Sequence, residues 1–209
     1  MSVKVNRDIF TVMKERASVR QYEKGIAIPE QELREILQAA TTAPSSWNLQ
    51  HWKFLVIQSE KNKQILLPIA FNQQQVVDSS VVVAVLGDLE ANKNADAVYS
   101  EAVANGFMTE EVKDVLLNQI NGAYTNQQFA RDEAVLNPSL AAMQLMLAAK
   151  AKGYDSCPMG GFDRQKFVET FHVPDRYIPV MLITIGKAVK PAHQTARFSL
   201  DRVIVKESF

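Results

Sequence analysis

Cysteine is almost missing from this chain of 209 residues. Cys157 stands alone, so no intrachain disulfide can form and a fold stapled by bridges is excluded. An excess of charge of either sign is also missing. Twenty-three basic residues balance twenty-three acidic ones, so no net field favours nucleic acid or an anionic membrane, and any anion site has to be local. No apolar run approaches the roughly 18 residues that cross a bilayer. The opening "MSVKVNRDIFTVMK" lacks the apolar stretch and small-residue cleavage site of a signal peptide, and the expectation is a cytoplasmic protein. Neither G-x-x-x-x-G-K-[ST] nor G-x-G-x-x-G occurs. His51, His172 and His193 are scattered without metal-ligand spacing, so no metal site is expected.

What is there fits one domain over residues 1–209, with ordinary globular usage at 47% hydrophobic and 22% charged residues. Residues 29–40, "PEQELREILQAA", open with proline and three acids and set Leu33, Ile36, Leu37 and Ala40 on one stripe, which predicts an amphipathic helix. Short β-branched runs without alternation at 52–57, 81–86 and 179–186 predict strands covered on both faces. Thr109 and Asp163 read as N-caps of two further helices. A third helix is expected from Asn137 as cap and Pro138 as first residue to Gly153 as stop. Nine of the ten residues from Leu140 to Ala149 are apolar, so this helix should be buried on every side, which in a domain of this size points to a second subunit. The polar stretch 88–131 reads as an excursion from the domain, mobile or facing solvent.

Three segments carry residues suited to chemistry. In "RASVRQY", residues 16–22, an extended backbone would put Arg16, Ser18, Arg20 and Tyr22 on one face and Ala17 and Val19 on the other. Two guanidinium forks and a hydroxyl suit a phosphate monoester, although surface arginines in ordinary ion pairs fit the same spacing. In "APSSWNLQHW", Ser45, Ser46, Asn48 and Gln50 follow Pro44 and lie between the only two tryptophans, Trp47 and Trp52. They either tie down their own turn or offer donors and acceptors to a planar polar ligand such as flavin mononucleotide (FMN). In "DSCPMGGFD", adjacent glycines before a helix allow a backbone to lie close to a flat ring, or make a plain turn. Cys157 has no histidine beside it in sequence, so a nucleophilic role is not expected.

In this order, together with "AFNQQQVVDSSVVVAVLGD", "IPVMLITIGKA" and "ARFSLDRVI", these segments resemble the nitroreductase family of FMN-dependent NAD(P)H oxidoreductases. The resemblance implies an α+β fold, a three-layer α/β/α sandwich with a mixed, largely antiparallel sheet, assembled as an intertwined homodimer with FMN at the subunit interface. It implies that Arg16, Ser18, Arg20 and Arg197 meet the flavin phosphate and ribityl chain. Pro44, Ser45, Ser46, Asn48 and Gln50 would reach a flavin held mainly by the other subunit. Asn72 would lie near the ring edge, and Pro158, Met159, Gly160 and Gly161 beside the ring. Two departures stand out: some members carry Glu at the position of Gly160, and some carry Lys at that of Thr195, which would leave the phosphate site one cation short.

The activity implied is two-electron transfer from NADH or NADPH to a nitroaromatic, quinone or similar small-molecule acceptor by a ping-pong scheme. Phe107, Tyr124 and Phe129 of the 88–131 excursion would shape the entrance. The rival readings are a family enzyme of different chemistry, such as reductive dehalogenation, and a flavin-binding storage or regulatory module.

Overall fold

The computed structural model describes residues 8–193 and 195–209. Its helices are α1 (Ile9–Glu15), α2 (Glu30–Thr41), α3 (Glu60–Ile69), α4 (Gln75–Asp78), α5 (Ala95–Ala104), α6 (Glu110–Ala123), α7 (Gln127–Ala151), α8 (Arg164–Phe171) and α9 (Leu200–Val203). Its strands are β1 (Trp52–Ile57), β2 (Val81–Asp88), β3 (Asp155–Met159) and β4 (Tyr177–Gly186). They form one sheet in the order β1-β2-β4-β3, with every neighbouring pair antiparallel. The sheet gains a parallel element only through the bridge from Ser18 to Ser156.

The apolar runs become buried strands because helices cover both faces. Every residue of β2 is buried. Alternate side chains serve different layers: Val81, Val83 and Val85 join α2 and α7, while Val82, Ala84 and Leu86 join α3, α8 and the start of α4. This is the expected three-layer sandwich. The helix starts at Thr109 and Asp163 are as the sequence suggests, each side chain accepting from the backbone N–H three residues on. Pro29 turns out to be the residue flanking α2 rather than its first member, a one-residue difference.

Asn137 does not begin a helix. α7 runs unbroken for 25 residues from a cap at Asn126, with Pro138 in its interior. A proline there leaves the carbonyl four residues back, that of Ala134, without its helical donor. Gly87 of β2 faces that carbonyl, and a Cβ built on Gly87 would lie only 1.7 Å from the Ala134 oxygen. The missing donor and the missing side chain therefore fall at one crossing of α7 over the sheet.

The expectation of burial on every side also fails within one chain. Leu136, Leu140 and Met143, spaced by four and three residues along α7, stay exposed, and so do Phe10 and Met13 of α1. β3 was not legible as a strand because Pro158 lies within it. Proline is tolerated since β3 is at the sheet edge, its outer side met, among the described residues, by the segment at Ser18 and Val19. The 88–131 excursion is largely helical, and its Ala91, Ala95, Tyr99 and Ile120 form a small core with Leu49. No helix among the described residues is long and apolar enough to cross a membrane.

The crossing at Gly87 gives a direct test. Gly87→Ala should destabilise the protein by about 3 kcal/mol, at the upper end of overpacking costs, seen as a lower denaturant midpoint at unchanged slope. A midpoint equal to that of the parent would mean that α7 can retreat from the sheet.

Candidate functional site

Beside the edge strand the segment from Arg16 runs extended, as one of the two sequence readings required. Val19 donates its N–H to the Ser156 carbonyl 3.1 Å away, and Tyr22 bridges to Ala188. The strict alternation fails at Tyr22, which is buried like Val19. Its hydroxyl lies 2.9 Å from Thr184 Oγ1 and 3.2 Å from the Thr184 carbonyl, so Tyr22 anchors the segment to β4 instead of joining the arginine face. Burial pushes its phenol well above the ordinary value.

Arg16, Ser18, Arg20 and Arg197 line one cleft of about 990 Å³. The same cleft takes Lys14, Lys150 and Lys190, three cations the sequence reading did not assign to it. Lys150 is engaged with Asp155 at 2.8 Å. A chain of zero net charge thus concentrates cations at one place. Thr195 brings no charge, but its Oγ1 and carbonyl accept from Arg197 Nη1 at 2.7 and 3.1 Å, which orients the guanidinium. Arg16 Nη1 is buried and has no hydrogen-bond partner among the described residues. A buried guanidinium nitrogen without an acceptor is a position that an anion would satisfy. No group of acids, histidines and cysteine suited to a metal ion occurs among the described residues.

From this cleft β3 leads to the glycine pair of the "DSCPMGGFD" segment. Five strand residues at about 3.3 Å each span roughly 15 Å, so Asp155 borders the basic cleft while Met159 leads into Gly160 and Gly161 at the far end. There Gln73 Nε2 donates to the Gly161 carbonyl at 2.8 Å and to the Ala70 carbonyl at 3.0 Å. Phe71 and Asn72 both adopt positive φ, at 53° and 56°, so the Asn72 turn and the glycine pair are pinned together. A Cβ on Gly160 would meet nothing within 4 Å, so the position some relatives fill with Glu is open space here. Cys157, midway along β3, is buried, and burial raises its thiol against the opposing influence of Arg20, which disfavours a thiolate nucleophile.

The third segment, Pro44 to Gln50, does not line the cleft. It forms a loop with a 3-10 turn at Ser46–Asn48, and Trp47, Asn48 and Gln50 all take positive φ. Gln50 donates its N–H to Ser45 Oγ at 3.0 Å, and Ser46 donates its N–H to Asn137 Oδ1 at 2.8 Å. The loop carbonyls are held too, that of Leu49 by Asn94 and that of Trp47 by Tyr99. Trp52 belongs to the core with Ala43 and Ala141. Tyr124 and Phe129, expected at an entrance, pack on this loop, with Phe129 edge-on to Trp47 and Tyr124 edge-on to Phe129. Phe107 alone of the three stands free, at 82% exposure.

Below the loop, Asp88 is buried and held in a fork by Arg176 at 2.6 and 2.7 Å, and Arg176 also reaches Asn94. This pairing ties β2 to the excursion.

The sequence pattern of the nitroreductase family matches residues 13–187, which includes the three segments just described but not Lys190, Thr195 and Arg197 of the cleft. The chain belongs to the nitroreductase family. Among members, it is 58% identical over 192 residues to YodC of Bacillus subtilis (strain 168), a protein provisionally named an NAD(P)H nitroreductase, covering 92% of this chain and 95% of that one. It is 36% identical to the CLA biosynthesis enone reductase of Lactiplantibacillus plantarum, covering 93% and 92%. Among solved nitroreductase structures it resembles one from Exiguobacterium sibiricum 255-15, provisionally so named and determined in complex with FMN. The TM-score is 0.91 and the identity 40%, with 99% of this chain and 100% of that one covered.

For the family fold, the buried fork at Asp88 sets a checkable cost. Arg176→Met leaves a buried carboxylate unpaired and should destabilise the protein by about 3 kcal/mol, while adding Asp88→Asn should restore part of the loss. Equal thermal midpoints for the parent and the single variant would contradict this account.

Proposed function

We propose that this chain is an FMN-dependent NAD(P)H oxidoreductase that passes two electrons to a small electrophilic acceptor in a ping-pong cycle, working as a homodimer. The observation that carries the reading is the buried, unpartnered Arg16 Nη1 within a cationic cleft. A phosphate monoester satisfies both the orphaned donor and the local positive field. The FMN of the solved relative and the NAD(P)H in the name of YodC support the choice of cofactor and donor.

Arg16, Ser18, Arg20 and Arg197 would hold the phosphate, with Lys14 and Lys190 adding to the field. Asn72 and the Pro158–Gly161 stretch would border the ring, where the absence of side chains at the glycines lets the backbone come close. When bound, FMN supplies the two-electron chemistry between nicotinamide and acceptor. The protein's part is to bind, orient and keep water from the ring, and no side-chain acid or base is required for the reductive half. The Ser45–Gln50 loop lies away from the cleft and would serve the flavin of a second copy. The apolar stripe of Leu136, Leu140 and Met143 supports that assembly, since a surface stripe of this kind asks for a partner. A nitroaromatic or quinone acceptor is the first expectation. An activated carbon–carbon double bond is the second, favoured by the enone-reductase relative.

Purified protein should be yellow and, without oxygen, should lose its flavin absorbance on addition of NADH or NADPH, after which a panel of nitro compounds, quinones and enones identifies the acceptor. Yellow protein that neither nicotinamide bleaches would favour a storage or regulatory module. Arg16→Ala and Arg197→Ala should each weaken FMN binding by at least about 1.5 kcal/mol, the low end for hydrogen bonds to charged groups. Unchanged affinity in both would move the phosphate elsewhere.

A further inference from the structure

His51 is wholly buried, directly behind the Ser45–Gln50 loop. Its Nε2 is hydrogen-bonded to Tyr124 Oη at 2.7 Å and lies 3.9 Å from Glu133 Oε2. Glu133 in turn accepts from Asn137 Nδ2 at 2.9 Å, through both its carboxylate and its backbone carbonyl. Asn137 then uses its Oδ1 to take the Ser46 N–H. A run of polar contacts therefore leads from Tyr124 at the end of α6, through His51 and α7, to the loop, with the 3.9 Å approach of His51 to Glu133 as its one link longer than a hydrogen bond. The loop needs such support, because three of its non-glycine residues hold positive φ, a conformation that persists only where the surroundings over-determine it.

We propose that His51, Tyr124, Glu133 and Asn137 are positioning residues: they lock the Ser45–Gln50 loop in its ligand-facing conformation and couple it to the excursion through α6, without themselves touching the ligand. This rests on the FMN reading above. Tyr124 also packs its ring on the apolar cluster of Leu49 beneath the loop, so its part in positioning is carried by the hydroxyl alone. What the four share is the satisfaction of polar groups around a strained backbone.

The chemistry of His51 makes the lock sensitive to acid. The charged groups facing it are Glu133 from α7 and Asp88 from β2, the latter already held by Arg176; Tyr124 faces it from the cap of α6. Both carboxylates favour the imidazolium, but burial outweighs them and holds the imidazole below its ordinary value. Its Nδ1 is buried with no partner among the described residues, so a second ring N–H would have no acceptor. In the other tautomer, with the neutral ring's proton on Nδ1, protonation turns Nε2 from acceptor to donor and Tyr124 must reverse its role. A depressed imidazole value means that the looser, solvated arrangement takes the proton first. The locked arrangement is therefore fully present above about pH 6.5 and is lost as the pH falls below it.

The test uses the full-length protein stripped of flavin and retitrated with FMN, with affinity read by flavin fluorescence at pH about 7.5 and about 5.5, either side of the ordinary imidazole value. Tyr124→Phe should weaken FMN about fivefold at the higher pH, the equivalent of one neutral hydrogen bond, with unchanged far-ultraviolet circular dichroism. The parent should lose affinity at the lower pH by a factor that shrinks markedly in His51→Gln. Should His51→Gln not fold, Tyr124→Phe answers alone, because it removes only an oxygen. FMN affinity equal to the parent's in Tyr124→Phe, or a pH profile unchanged in His51→Gln, overturns the lock. Parent protein that binds no FMN at either pH overturns the functional reading instead.

Discussion

α7 crosses the central strand β2 so closely at Gly87 that a Cβ there would lie 1.7 Å from the Ala134 carbonyl oxygen. The approach depends on two local facts. Pro138 cannot donate to that carbonyl, and Gly87 has no side chain to hold the helix away. Neither residue achieves it alone: a proline opposite an ordinary strand residue would leave the helix standing off the sheet. The position of α7 then sets what lies beside it. Asn137, one residue before the proline, comes under Ser46, and Glu133 comes within reach of His51. A packing constraint in the core thus determines where the polar supports of a surface loop fall.

The basic cleft follows a different logic, electrostatic rather than steric. A chain with equal numbers of acids and bases has no long-range attraction for anions, so whatever holds one must do so within a Debye length of about 8 to 10 Å. The fold meets that condition by laying the extended Arg16–Arg20 segment along the edge of the sheet, at the end of α1, and by returning the chain from β4 past it towards Arg197. Tyr22 is the fastening. Its buried hydroxyl, tied to Thr184, holds the segment to the sheet, and in doing so it leaves the arginine face that simple alternation assigned to it.

Most of the layer architecture was legible from residue patterns. β1 matches its apolar run residue for residue, and the helix starts at Thr109 and Asp163 follow from capping chemistry, which is local and needs no partner. The misreadings have a common cause. Asn137 and Pro138 have the look of a helix start because each favours that position by itself, and only contact with Gly87 and Ser46, remote in sequence, makes them suitable for a helix interior. Pro158 hid β3 because a proline is acceptable in a strand only at an edge, and edge status depends on the order of the strands. Lys14, Lys150 and Lys190 carried no motif, and Tyr124 and Phe129 carried no sign that they would pack on the loop.

The sequence by itself determined the family, the three-layer class and the arginine, serine, asparagine and glycine segments, because caps, buried strand runs and short motifs are set by neighbours along the chain. Only the tertiary structure decided which of those segments share a cleft, which cations join it, and that a histidine without any motif lies buried behind the loop. Charge fields and hydrogen-bond satisfaction depend on distance in space, and residues such as Arg16 and Arg197, or Ser46 and Asn137, are brought together by the packing of helices on the sheet.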